Sequence, residues 1–158
     1  MKKILNTTLK PFIVFLVFVT FSFIPSKQNC VSDELYESTL KKLSQYALLK
    51  DYRIYVPKKK VNDPEATVFF PITLNSGVKY KFWGAQNDKY DGKLTVSLFT
   101  TRNGKADFLF ATNYRKDIDK FYESIEFQSE STMNCLIAFS FKDGKEGCGL
   151  GLSSFLKN

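Results

Sequence analysis

The sequence predicts a mainly β fold: an antiparallel β-sandwich of jelly-roll or Greek-key type, with about eight strands and one N-terminal amphipathic helix. Three observations carry that expectation. From Asp51 onward, short alternating apolar segments recur roughly every 8 to 15 residues, with no helical stretch between them. The breaks hold turn residues, among them Asn75-Ser76-Gly77, Asn103-Gly104 and Asp143-Gly144. Aromatic residues make up 16% of the chain, and together with its Val, Ile and Thr they favour strands over helices.

The chain opens on a different pattern. Lys2, Lys3 and Lys10 precede an apolar run over residues 12–24, broken only by Thr20 and Ser22. That run suits the core of a signal peptide and is shorter than the ~20 residues a helix needs to span a bilayer. Pro25 ends it, and Ser26-Lys27-Gln28-Asn29 is polar. Residues 1–26 are therefore expected to be a signal peptide cleaved after Ser26, leaving no transmembrane span. The alternatives are an uncleaved N-terminal anchor and a lipidated Cys30, although Lys27-Gln28-Asn29 is bulky and polar where a lipid signal wants small residues. Residues 27–50 then form an N-terminal segment with a helix, and residues 51–158 the sandwich. The expected location is the periplasm or the extracellular space.

The formal charge is +7, but the three leader lysines supply part of it. The remaining basic excess is dispersed apart from Lys58-Lys59-Lys60, whereas a nucleic-acid surface would gather it into one stripe. Nucleic acid is not an expected partner. Histidine is absent, which excludes a Ser-His-Asp or Cys-His nucleophile and His-ligated zinc. No cofactor is expected.

Ser32 is placed to cap a helix, with Asp33 and Glu34 suiting its positive first turn. Tyr36, Leu40, Leu43 and Ala47 recur at helical spacing, flanked by Leu35 and Leu48, and predict a helix continuing to Lys50. Strands follow over residues 52–56, 66–74, 78–83, 93–100, 107–113, 121–128, 134–141 and 147–155. Pro71 implies that the second is an edge strand or carries a bulge. In the third, Val78, Tyr80 and Phe82 share one face, with Trp83 on the other beside Lys79 and Lys81. In the sixth, Phe121, Ile125 and Phe127 share a face. Residues 134–141 are apolar on both faces and read as a central strand, with Asp143-Gly144 as a hairpin turn into the last one.

The run Leu74-Asn-Ser-Gly77-Val-Lys-Tyr80-Lys-Phe82, followed by Gly92-Lys-Leu94-Thr-Val96-Ser-Leu98, resembles bacterial pre-peptidase C-terminal domains. Those are small β-sandwiches appended to secreted enzymes, here with no protease segment ahead. The leader, Cys30, the helix and the closing Lys145-Glu146-Gly147-Cys148-Gly149 together resemble small secreted β-sandwich proteins of Bacteroidota-type bacteria. That resemblance implies a fold and a location, and no activity.

In an exported chain the cysteines invite a disulfide. With Asp143-Gly144 as a two-residue hairpin turn, Cys135 and Cys148 share a face but stand roughly 13 Å apart along the strands, too far to bridge. Cys30 can reach either one; Cys30–Cys148 is the expected pair, with Cys135 free or an alternative partner, and a different register would join Cys135 to Cys148 instead. Gly147, Gly149 and Gly151 alternate and leave one strand face bare, which anticipates close approach of an aromatic ring or of the helix. No helix follows them to make a phosphate-binding loop.

Trp83, Tyr90 and Tyr114 form a candidate aromatic platform for a sugar or an apolar partner, unless Trp83 lies beneath the helix. Asn87, Asp88 and Asp91 are a thin set of calcium ligands around Lys89, for which a plain turn is the simpler reading. Asp117/Asp119 and Glu123/Glu126 are the pairs on which a carboxylate hydrolase would rest. The expected function is a non-enzymatic binding or accessory module whose partner is an envelope protein or polysaccharide. The alternatives are a small carboxylate-dependent hydrolase and a structural component of a surface assembly.

Overall fold

The computed structural model describes residues 30–59 and 66–157. The predicted signal peptide and Lys60 lie outside the described residues. The elements are α1 (Asp33–Lys41), β1 (Tyr46–Val56), β2 (Thr67–Leu74), β3 (Lys79–Gln86), β4 (Leu94–Arg102), β5 (Lys105–Thr112), β6 (Tyr114–Arg115), β7 (Lys120–Phe121), β8 (Ser124–Gln128), β9 (Met133–Phe141) and β10 (Gly147–Leu156).

Eight of these strands build two four-stranded sheets, in the orders β1-β10-β3-β8 and β2-β9-β4-β5, and β6 pairs with β7 in a separate ribbon. Every pairing is antiparallel. The inward residues of both sheets form one core, in which Phe82, Phe139, Ile137, Val96 and Leu98 are wholly buried. Each such side chain removed from water contributes roughly 1.5–3 kcal/mol. Tyr52 links the sheets, its ring 4.8 Å from that of Phe70 and 5.1 Å from that of Phe139. β2 is an edge strand, the place where Pro71 removes no ladder hydrogen bond. At the β4–β5 hairpin Asn103 and Gly104 take φ of 52° and 74°, the left-handed pair that a tight two-residue turn requires.

Three local expectations are corrected. The helix begins as expected, with Ser32 Oγ accepting from the Leu35 N–H at 3.2 Å, but it ends at Lys41 and not at Lys50. After Lys42 the chain turns through Ser44, at φ 50°, and residues 46–50 enter β1 opposite β10. A strand pairing over the length of β1 outweighs the helical spacing of Ala47 and Leu48. Second, Phe121 does not continue into the strand of Ile125 and Phe127: it pairs with Tyr114 in the β6–β7 ribbon, and β8 begins only at Ser124. Third, Asp143-Gly144 is not a hairpin turn. Residues 142–144 form a 3-10 turn that carries the chain from one sheet to the other, so β9 and β10 face each other across the core.

That crossing explains the alternating glycines. A Cβ at Gly147 would lie 2.1 Å from the Phe141 ring, and one at Gly151 would lie 2.2 Å from the Phe139 ring. The bare face of β10 thus receives the aromatic rings of β9. Its other face presents Cys148, Leu150 and Leu152 outward, where a second apolar cluster forms with Val31, Leu43, Tyr46 and Trp83. Leu35, Tyr36 and Leu40 of α1 pack on that cluster.

Candidate functional site

The second cluster is closed by a disulfide between Cys30 and Cys148, with Cα atoms 5.9 Å apart, while Cys135 is free and buried in the core between the sheets. The expected pair is the one that forms, although the hairpin register behind the expectation is not. Cys148 and Cys135 point to opposite sides of different sheets, so no slip of register joins them. Burial pushes the Cys135 thiol above its ordinary pKa, away from nucleophilic character.

Asn87 reinforces the bridge. Its backbone N–H donates to the Cys148 carbonyl at 2.8 Å, and its side-chain Nδ2 donates to the Cys30 carbonyl at 2.5 Å. Its Oδ1 accepts from the Lys89 N–H at 3.0 Å, so the amide shapes the turn that follows. Asn87 therefore acts on the backbone at both ends of its side chain. Among the described residues no group of three or more Asp, Glu, Cys or His could hold a metal ion, and Asp88 and Asp91 are exposed.

The three aromatic candidates do not assemble into one platform. Trp83 is 6% exposed within the cluster on which α1 packs, with Lys81 Nζ 4.4 Å from its ring centroid. Its Nε1 is buried without a hydrogen-bond partner among the described residues. Tyr114 stacks on Phe121 at 4.5 Å, and its hydroxyl donates to Asp119 Oδ1 at 3.0 Å. Tyr90 alone stands beside a cleft.

That cleft opens at one end of the sandwich, where the segments after β1, between β3 and β4, and between β9 and β10 converge. Backbone hydrogen bonds hold them together: the Lys59 N–H donates to the Gly144 carbonyl, Gly92 to Glu146, and Lys142 to Lys93. The cavity holds about 370 Å³ and is lined by Lys58, Lys89, Tyr90, Asp91, Lys145 and Glu146. The Tyr55 hydroxyl donates to Glu146 Oε1 at 2.7 Å, and its ring meets Tyr90 edge-on at 6.2 Å. Three ammonium groups thus face two carboxylates around a half-buried tyrosine. A second, open cleft of about 580 Å³ lies on the far side of the same loop, between it and the start of α1, and Lys89 borders both.

The carboxylate pairs are otherwise engaged. Asp117 is bidentate to Arg115, Asp119 meets Lys142, and Glu123 meets Lys42. Glu126 bridges Lys79 and Lys81, both at 2.9 Å, and its carboxyl is pushed down to about 2 by those ammonium donors. Hydrogen bonds from Arg115 and Lys142 likewise hold Asp117 and Asp119 below the usual carboxylate range. A general acid needs the opposite shift.

Sequence reasoning named Lys58, Lys89, Tyr90 and Asp91 of the cleft, quoted Lys145 and Glu146 only for a resemblance and not as site residues, and passed over Tyr55 beside them. Lys145 and Glu146 lie just past the misread turn, and Tyr55 sits at an outward position of β1 that alternation alone leaves unremarkable. Compared with protein-family models and with curated proteins, the chain matches none.

Proposed function

We propose that the chain is an exported, non-enzymatic binding module of the cell envelope, and that its loop-end cleft takes the acidic groups of an envelope polysaccharide. The observation that carries this reading is that Lys58, Lys89 and Lys145 outnumber Asp91 and Glu146 in the lining of one cavity that also holds Tyr90. Ammonium groups attract carboxylate, sulfate or phosphate substituents, and a tyrosine ring offers an apolar flank with a polar tip. The downward-shifted, ion-paired Asp117, Asp119 and Glu126 support binding over a carboxylate hydrolase. Export rests on the leader pattern of residues 1–26, and the Cys30–Cys148 bridge is consistent with an oxidising compartment. No helix among the described residues is long and apolar enough to cross a membrane.

The sheet orders β1-β10-β3-β8 and β2-β9-β4-β5 support a jelly-roll reading of the sandwich, a fold in which lectin-like proteins also occur. The resemblance to small secreted β-sandwich proteins points to the same location.

The test is titration of the protein with alginate as an acidic polysaccharide and dextran as a neutral control, monitored by calorimetry. Alginate binding that weakens with salt and falls at least ten-fold in Lys89→Ala/Lys145→Ala supports the cleft. Absence of alginate binding, or equal affinity in the variant, refutes it.

A further inference from the structure

We infer that the outward face of the β2-β9-β4-β5 sheet is a second binding surface, fitted to an uncharged polysaccharide chain. Side chains alternate along a strand, so the residues opposite the core side chains define this face. The registers set Phe69 beside Ala138 and Ser97, and set Pro71 beside Leu136, Phe99 and Leu109. The outward positions of β2, β9 and β4 between Thr67 and Thr73, Asn134 and Ser140, and Thr95 and Thr101 carry no charge, in a chain of which 25% is charged.

The two sandwich faces are treated differently by the fold. Helix α1 packs on the outward cluster of the β1-β10-β3-β8 sheet, whereas Phe69 and Leu109 on this face are 44% and 42% exposed. Exposed apolar residues gathered on one face mark an interaction surface.

Charge and area select the occupant. An anionic or cationic partner gains nothing from the uncharged outward positions of β2, β9 and β4, and Lys105 and Asp107 lie on the edge strand β5, so the ligand on the three uncharged strands is neutral. Four strands about 4.8 Å apart, of eight or nine residues each at about 3.3 Å rise, cover about 500 Å². A stable protein partner needs about 800 Å² on each side, which disfavours a second copy of the chain. A polysaccharide lying across the strands needs only a narrow track, and the strand spacing is comparable to the length of a pyranose ring.

The surface chemistry fits that track. The rings of Phe69 and Phe99 meet edge-to-face at 5.9 Å and offer apolar area to the C–H face of a sugar. Hydroxyls flanking them are already fixed: Thr73 Oγ1 donates to Asn134 Oδ1 at 2.8 Å, Thr101 Oγ1 to the Asn134 carbonyl, and Ser97 Oγ to Thr112 Oγ1. Held in place, their oxygens accept from sugar hydroxyls with little ordering cost.

The experiment is co-sedimentation of the exported chain with microcrystalline cellulose, chitin and curdlan, three insoluble neutral glycans, at low and high salt. The expected result is retention on at least one of them, unchanged by salt, and reduced about ten-fold or more in Phe69→Thr/Phe99→Thr. Thr95→Lys, a single exposed charge placed on the face, produces the same loss without removing any packing. Lys89→Ala/Lys145→Ala leaves this retention intact, which separates the surface from the loop-end cleft. Failure to sediment with any of the three glycans overturns the inference, as does equal retention of the face variants. A dimer in sedimentation equilibrium that Thr95→Lys dissociates also overturns it, by assigning the face to a second copy.

Discussion

Gly151 and Phe139 meet across the sandwich core with no room for a side chain on the glycine: a Cβ there would stand 2.2 Å from the ring. Gly151 pairs with Tyr52 on one side and Gly84 on the other, so its strand has little freedom to retreat. Gly151→Ala is expected to destabilise the protein by about 2–3 kcal/mol, the upper range for overpacking a core. Chemical denaturation measures it. Phe139→Leu in the same chain relieves the clash, so the double variant costs less than the sum of the singles.

The Cys30–Cys148 bridge spans 118 residues and anchors the segment that leads into α1. Cys30→Ser is expected to lose about 5 kcal/mol in the chain-entropy model of disulfide stabilisation. Trp83 is the sole tryptophan and lies in the same cluster as Cys148. Its fluorescence is expected to shift to the red in the variant as water reaches the ring. An unshifted spectrum would show that α1 stays docked without the bridge.

Asn113 is 3% exposed and completes the ladder where β5 leaves β4. Its Oδ1 accepts from the Val96 N–H at 2.8 Å, and its Nδ2 donates to the Leu94 and Tyr122 carbonyls. Asn113→Ala leaves a buried N–H and carbonyls without partners and is expected to cost about 2 kcal/mol. Asn113→Asp places a carboxylate against two carbonyls, so its deficit is expected to shrink as pH falls and the acid regains a donor. Melting temperature against pH tests both.

Lys79 and Lys81 both donate to Glu126 and push its carboxyl down to about 2 in the folded state, from an ordinary 4.5. A lowered folded pKa stabilises the fold above the unfolded value and loses that contribution as pH falls from about 4.5 to about 2. Its side chain is 42% exposed, so solvent screening keeps the contribution below about 1 kcal/mol. Carbon-detected NMR titration of the carboxyl is expected to give a midpoint well under 4.5, and Glu126→Gln to flatten stability across that window.

Much of the fold was legible because its signals are local. Ser32 capped the helix that was expected of it, Asn103-Gly104 made its hairpin, and residues 133–141 formed a central strand. The cleft was less legible: Tyr90 and Asp91 drew attention as loop residues, but nothing in their neighbourhood announces Lys145 or Tyr55. Trp83 misled because its strand face carries Lys79 and Lys81, which read as solvent, while α1 packs over the cluster that holds the indole.

Local signals in the sequence carried the strand-rich sandwich and most of its turns, whereas the Cys30–Cys148 pairing and the aromatic filling of the bare glycine face were each anticipated beside an alternative. Period-two alternation and turn chemistry depend only on the backbone of a few neighbouring residues. The tertiary structure decided which sheet each strand joins, where α1 stops, and which tyrosine borders a cleft. Those outcomes depend on the fit of side chains across the gap between the sheets, as with Gly151 against Phe139, and the same alternation is compatible with either sheet.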